Sequence, residues 1–178
     1  MRPFNVVVMC RRNGERGASK ELKFFGRFHT MGFRDVLVGH LDDRGRFFEE
    51  LRKGREVRDP VWRYITRAVP IDEVLSFTLE TFREALGGVI DGIADRVAPG
   101  PFYVRIERRG HKGRIPTPEV EQEMGGRIIA AHERRGHSSR VDFKEFRSIV
   151  AVETFGDVAG VGIVAREEVE RYPFLKVP

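Results

Sequence analysis

A compact apolar run with valines covers Phe4–Cys10 and predicts a buried strand. Gly14 and Gly17 bound a loop, after which Ala18, Leu22, Phe25 and Phe28 recur at helical spacing, with Gly32 as the stop. Phe33–Leu41 predicts a second strand, Asp42–Gly45 a turn, and Arg46–Lys53 a short helix closed by Gly54. Val61–Ala68 predicts a third strand, stopped by Pro70. The first part therefore reads β-α-β-α-β.

From Pro70 the period changes. Leu75, Leu79, Phe82, Leu86, Ile90, Ile93 and Val97 step by three and four, which predicts one long helix capped by Asp72 with its stripe in a core. Pro99-Gly100-Pro101 breaks the chain. Strand 102–108 follows, then a Gly-rich loop, then a helix opening at Thr117-Pro118 and running to about Arg135, with Gly136 after it. Arg147–Phe155 and Val158–Ala165 form an antiparallel hairpin about Gly156-Asp157, and the tail adds a short helix and an edge strand. A strand–helix–strand crossover over 102–155 predicts a right-handed parallel unit. The expected fold class is α+β: an N-terminal α/β region, 1–69, and a second α/β domain, 70–178.

Charge sharpens this picture. The chain has 178 residues and a net charge of +5, and the window 101–116 alone carries +4, from Arg105, Arg108, Arg109, Lys112 and Arg114 against Glu107. Positive charge is thus concentrated at one strand end and loop. Arginine forks match phosphate and stay charged, so a polyanion is the expected partner. Alternation puts Arg105, Glu107 and Arg109 on one face, with Arg108 opposite. Glu119, Glu121 and Glu123 oppose an anion at the following helix start. About four neutralised phosphates would give a salt slope of roughly −3 to −4. One Cys excludes an internal disulfide and a Cys-rich zinc site. No stretch is long and apolar enough to span a bilayer, and Arg11 and Arg12 follow the first apolar run at once, unlike a signal peptide. A cytoplasmic protein with no membrane partner, metal or small-molecule cofactor is expected.

The stretch Phe102–Ile129 resembles the central part of a THUMP domain, an RNA-binding module of 4-thiouridine synthases, tRNA methyltransferases and pseudouridine synthases. The resemblance lies in Arg105 with Arg108 and Arg109, then Lys112 and Arg114, then Gly125 before Ile128 and Ile129. Val141–Lys144 and Ser148–Ile163 are similar to the family's closing hairpin. Phe4–Val8, Glu15–Leu22 and Arg67–Asp72 resemble the ferredoxin-like region that precedes THUMP domains. The resemblance implies a tRNA-binding adaptor, closest to stand-alone THUMP proteins of cytidine acetylation. Such a protein does no chemistry itself and presents tRNA to a separate modifying enzyme. Its RNA surface would comprise Arg105, Arg108, Arg109, Lys112, Arg114 and Arg127, with Arg11, Arg12, Arg16 and His111 able to enlarge it.

Two other readings stand beside it. Cys10 and Arg16 have the C-x5-R spacing of phosphatase loops, where a thiolate attacks phosphorus within a cradle of N–H groups. A protein–protein module would use the final hairpin or the tail as an edge strand. His132 and His137 straddle a helix end, too far apart for an i, i+4 metal pair.

Overall fold

The structure is a computed structural model describing residues 4–57 and 63–177. It divides into two units, Met1–Ile71 with Glu167–Lys176, and Asp72–Arg166 with Val177–Pro178.

The first unit is built in the order β1 (Val6–Cys10), α1 (Glu15–Leu22), β2 (Gly26–His29), β3 (Val36–Leu41), α2 (Arg44–Glu56) and β4 (Ile65–Pro70). Its sheet is wholly antiparallel, ordered β2-β3-β1-β4. This β-α-β-β-α-β arrangement is ferredoxin-like. β1 lies inside the sheet and all five of its residues are buried, as its unbroken apolar run requires. Pro70 sits at the end of edge strand β4, where the missing N–H costs little.

One strand of this unit was hidden by periodicity. Phe25 and Phe28 fit the face of α1 by spacing, yet the helix stops at Leu22 and Phe28 lies on β2. Gly26 makes the difference, because a Cβ there would come 2.1 Å from the carbonyl oxygen of His40. Only glycine lets β2 close on β3 at that point. Phe25 and Phe28 then pack on Phe47 of α2, with ring centroids 5.2 and 6.3 Å away. α2 begins two residues before its expected start, because the Asp43 carboxylate accepts the Arg46 N–H at 2.8 Å and caps it. Part of the expected strand Val61–Ala68 lies outside the described residues.

The second unit contains β5 (Glu73–Ser76), α3 (Phe82–Ile93), a 3-10 turn (Ala94–Arg96), β6 (Pro101–Glu107), α4 (Thr117–Glu133), β7 (Arg140–Val141), β8 (Ser148–Phe155) and β9 (Val158–Ala165). Its mixed sheet runs β5-β9-β8-β6-β7, with β6 parallel to both β7 and β8. Leu86 and Ile90 of α3 and Val120, Met124 and Ile128 of α4 pack with Phe102, Val104, Ile106, Val150, Val152 and Val161 of the sheet.

The single long helix expected from Pro70 is instead strand β5 followed by α3. Leu75 pairs with Ala159 on β9. Asp72 is not a helix cap, for its carboxylate accepts the Ile163 N–H at 2.9 Å and fixes β5 beside β9. The helix start is marked by Thr78, whose N–H donates to the Thr81 hydroxyl at 2.9 Å. At the other end of α4, Gly136 takes φ +75 and closes the helix. The tail forms a short helix, α5 (Arg166–Arg171), and among the described residues no strand follows it. Instead the Phe174 carbonyl accepts the Ala68 N–H at 3.0 Å, and its ring stacks on Phe48 at 5.8 Å. Arg171 and Arg52 both donate to Glu49, which pulls that carboxyl down to about 2.

His132 joins α4 to the segment before β6. Its Nε2–H donates to the Ala94 carbonyl at 3.0 Å, and its Nδ1 takes the Ser139 hydroxyl at 2.6 Å. Ser139 in turn accepts the Gly100 N–H at 3.0 Å. His132 is buried, so its removal leaves the Ala94 carbonyl and Ser139 hydroxyl without partners. His132→Ala is expected to lower stability by about 2–3 kcal/mol in urea unfolding, from the lost bonds and the cavity.

Candidate nucleic-acid interface

The arginines at the end of β6 are not equivalent. Arg109 turns inward: its Nη1 lies 2.6 Å from the carboxylate of Glu153, whose side chain is 1% exposed. Glu107 and Glu153 sit opposite each other in the parallel β6–β8 register, and Arg109 reaches both, with Nη2 4.0 Å from Glu107. Its guanidinium also lies 5.2 Å from the centre of the Phe155 ring. A buried carboxylate needs this cation, and the cation is thereby withdrawn from water.

Arg105 is engaged as well. Glu121 of α4 folds back over the open edge of β6, accepting the Ile106 N–H at 2.8 Å, and reaches Arg105 at 3.7 Å. The Arg105 guanidinium lies 5.5 Å from the centre of the Phe143 ring. Arg127, on α4, donates to Asp91 of α3 at 2.8 Å, and its guanidinium fills the space that a side chain at Gly87 would need. The six expected residues Arg105, Arg108, Arg109, Lys112, Arg114 and Arg127 therefore fall into two groups of three. Arg109 holds a buried acid, Arg105 an acid laid on the β6 edge, and Arg127 the exposed Asp91.

Arg108, Lys112 and Arg114 remain without a carboxylate in hydrogen-bonding range among the described residues. Arg108 curls back so that its Nη1 donates to the Gly110 carbonyl at 2.6 Å. Lys112 and Arg114 are exposed. The Glu80 carboxyl is held below its ordinary range mainly by its own N–H and by the Thr78 hydroxyl, with the charge of Arg114 the smallest contribution.

The loop that carries them is braced. Arg109 donates its N–H to the Thr154 hydroxyl at 3.1 Å, and its carbonyl accepts the Gly156 N–H at 2.9 Å. His111 Nε2 meets Asp157 at 2.7 Å across the β8–β9 turn. The tight path needs left-handed backbone at Gly110 (φ +86), His111 (φ +48) and Gly113 (φ +73). Ile115 then anchors the far end in the core. His111 is thus a brace for the loop. Lys112 and Arg114 project from a fixed platform rather than a floppy tip.

The acids that argued against an anion at the α4 start are partly spent. Glu121 is engaged as described, and Glu123 accepts from Arg83 at 2.6 Å, leaving Glu119 exposed in the first turn.

Aromatic contacts were missed by the sequence reading. Phe143 is 55% exposed and lies 5.1 Å from Tyr103, beside the Arg105 guanidinium. The legible signal was Arg140–Arg147, where two phenylalanines alternate with basic residues.

The C-x5-R reading fails on geometry. The Cys10 thiol is pushed up to about 12, chiefly by burial, with Glu15 and Asp35 adding to it. The would-be cradle is already filled: Asn13 N–H donates to the Asp35 carboxylate at 2.7 Å, Asp35 N–H to Glu15 at 2.7 Å, and Gly14 N–H to the Arg11 carbonyl at 2.7 Å. The Asp35 carboxylate thus takes a loop N–H that a phosphate would need, and the charges of Asp35 and Glu15 oppose both a thiolate and an anion beside it. Among the described residues no group of three His, Cys, Asp or Glu side chains gathers as for a metal ion, and no helix is long and apolar enough to cross a membrane.

No model of a known protein family matches the chain, and no curated protein does. Solved structures do. A 4-thiouridine synthetase–RNA complex with bound ATP is 11% identical at TM-score 0.58, over 91% of this chain and 41% of that one. TrmN from Thermus thermophilus is 20% identical at TM-score 0.59, over 89% of this chain and 44% of that one. A predicted N6-adenine-specific DNA methylase from Listeria monocytogenes is 12% identical at TM-score 0.54, over 90% and 40%. The likeness is one of fold. This chain spans less than half the length of each of those three. The expectation of a protein that does no chemistry is corrected by these likenesses, since the fold recurs in chains described as a synthetase and a methylase.

Two measurements check the assignments within the site. Arg109→Ala is expected to cost about 3–5 kcal/mol in urea unfolding, by stranding Glu153, whereas Lys112→Ala stays within about 0.5 kcal/mol. Iodoacetamide at pH 8 is expected to leave Cys10 unmodified in the folded protein and to label it in urea, because a buried thiol is not a thiolate there.

Proposed function

We propose that this chain binds tRNA and serves tRNA modification, holding the RNA by its phosphates on the loop between β6 and α4. The observation that carries the proposal is the set of three cations, Arg108, Lys112 and Arg114, without carboxylate partners on a braced loop. Structured RNA presents phosphates and 2′-hydroxyls rather than readable base edges, so fixed cations on a rigid surface are what shape recognition needs. Support also comes from the sequence resemblance to THUMP domains and from the fold shared with a synthetase solved with RNA.

Arg108 and Arg114 offer planar forks and Lys112 a point charge, so the contacts grip phosphate without reading sequence. Paired Arg105, Arg109 and Arg127 shape the surface and add little net attraction. The partner implied is the catalytic domain or enzyme that acts on the tRNA held here. Cytidine acetylation, implied by the resemblance, is one chemistry this binding could serve.

Filter-binding titration of total tRNA against salt tests the proposal. Three phosphate contacts predict a slope of log K on log salt of about −2 to −3, shallower than five or six free cations would give. The variant R108A/K112A/R114A is expected to lose most of that slope and at least about tenfold in affinity. Affinity unchanged in this variant overturns the site.

A further inference from the structure

The first unit holds a cleft of about 700 Å³ at the end of its sheet, lined by Lys23, Phe24, Arg27, His29, His40 and Asp42 among others. It belongs to a different unit from the cationic loop. Its character is unusual for a surface hollow. Phe24 follows α1 and is 78% exposed. The Lys23 ammonium lies 4.9 Å from the centre of its ring.

The surroundings are firm. Phe25 is locked edge-on against Phe47 at 5.2 Å, and Gly26 is forced by the close approach of the His40 carbonyl. Arg27 and His40 are direct cross-strand partners on β2 and β3, so they share one face. Lys23, Arg27 and Asp42 have no ion pair among the described residues. The cleft thus offers a ring with Lys23 against one face, two cations without carboxylate partners, imidazoles and one acceptor carboxylate. A nucleotide presents the matching set: a π-face for the ring, a phosphate for the cations and base N–H groups for the carboxylate. An acidic peptide would use the cations but leave the ring unused.

We infer that this cleft binds one unpaired nucleotide of the RNA, its base stacked on Phe24 and its phosphate toward Lys23 and Arg27. The inference rests on the RNA-binding reading and gives the protein a second contact, to a single-stranded segment, apart from the phosphate-binding loop.

Fluorescence titration of a single-stranded RNA hexamer containing 2-aminopurine tests it, with filter binding of total tRNA alongside. Four proteins are compared: wild type, Phe24→Ala, Phe24→Tyr and R108A/K112A/R114A. Base–aromatic stacking predicts that Phe24→Ala abolishes quenching and weakens hexamer binding about five- to hundredfold, that Phe24→Tyr retains both, and that the loop variant still quenches. Because Phe24 is exposed, Phe24→Ala is expected to keep the wild-type melting temperature. Wild-type tRNA binding together with identical hexamer titrations for wild type and Phe24→Ala overturns the cleft alone. Absence of tRNA and hexamer binding by wild type overturns both the cleft and the RNA-binding reading.

Discussion

Glu153 lies on β8, in the middle of the second unit's sheet, and its carboxylate meets the Arg109 guanidinium at 2.6 Å. A carboxylate this deeply buried is tolerable only with its charge matched. The requirement reaches beyond the pair. Arg109 must fold back over β6, which places its backbone against Thr154 and Gly156 and sets the path of the following loop. His111 then meets Asp157, and the chain turns through three left-handed residues before Ile115 enters the core. The exposed cations stand where they do because a buried acid fixed their neighbour.

The same electrostatics sorts a charge-rich segment into structural and available parts. Window 101–116 holds five basic residues, but the field outside the protein comes mainly from those without acid partners. Glu121 illustrates the coupling. Written as part of an acidic helix start, it in fact covers the unpaired edge of β6 and holds Arg105. An acid expected to repel phosphate is spent on the strand edge that would otherwise be open.

Periodicity succeeded where one element had room for only one reading. β1, β6, α4 and the β8–β9 hairpin were legible, because a run of valines, a Thr-Pro start and a Gly-Asp turn each exclude alternatives. It failed at two junctions for one reason. Spacings of three or four fit a helix, but residues two apart within them fit a strand equally. Leu75 fits the start of a helix and Phe28 the continuation of one, yet both are strand residues because neighbouring strands offer their backbone groups partners. β7, two residues long, carries too short a pattern to announce itself.

The sequence by itself determined the α+β class, the parallel unit after Pro101 and the location of the excess charge, since composition, glycine and proline positions and apolar spacing are local properties. It also located the loop that carries Lys112 and Arg114. Only the tertiary structure decided which arginines are available, that Cys10 is buried within reach of the charges of Glu15 and Asp35, and that Phe24 stands open beside Lys23 and Arg27. Those outcomes depend on which side chains distant segments bring within a few ångströms, and charge pairing and burial at that range leave no trace in the order of residues along the chain.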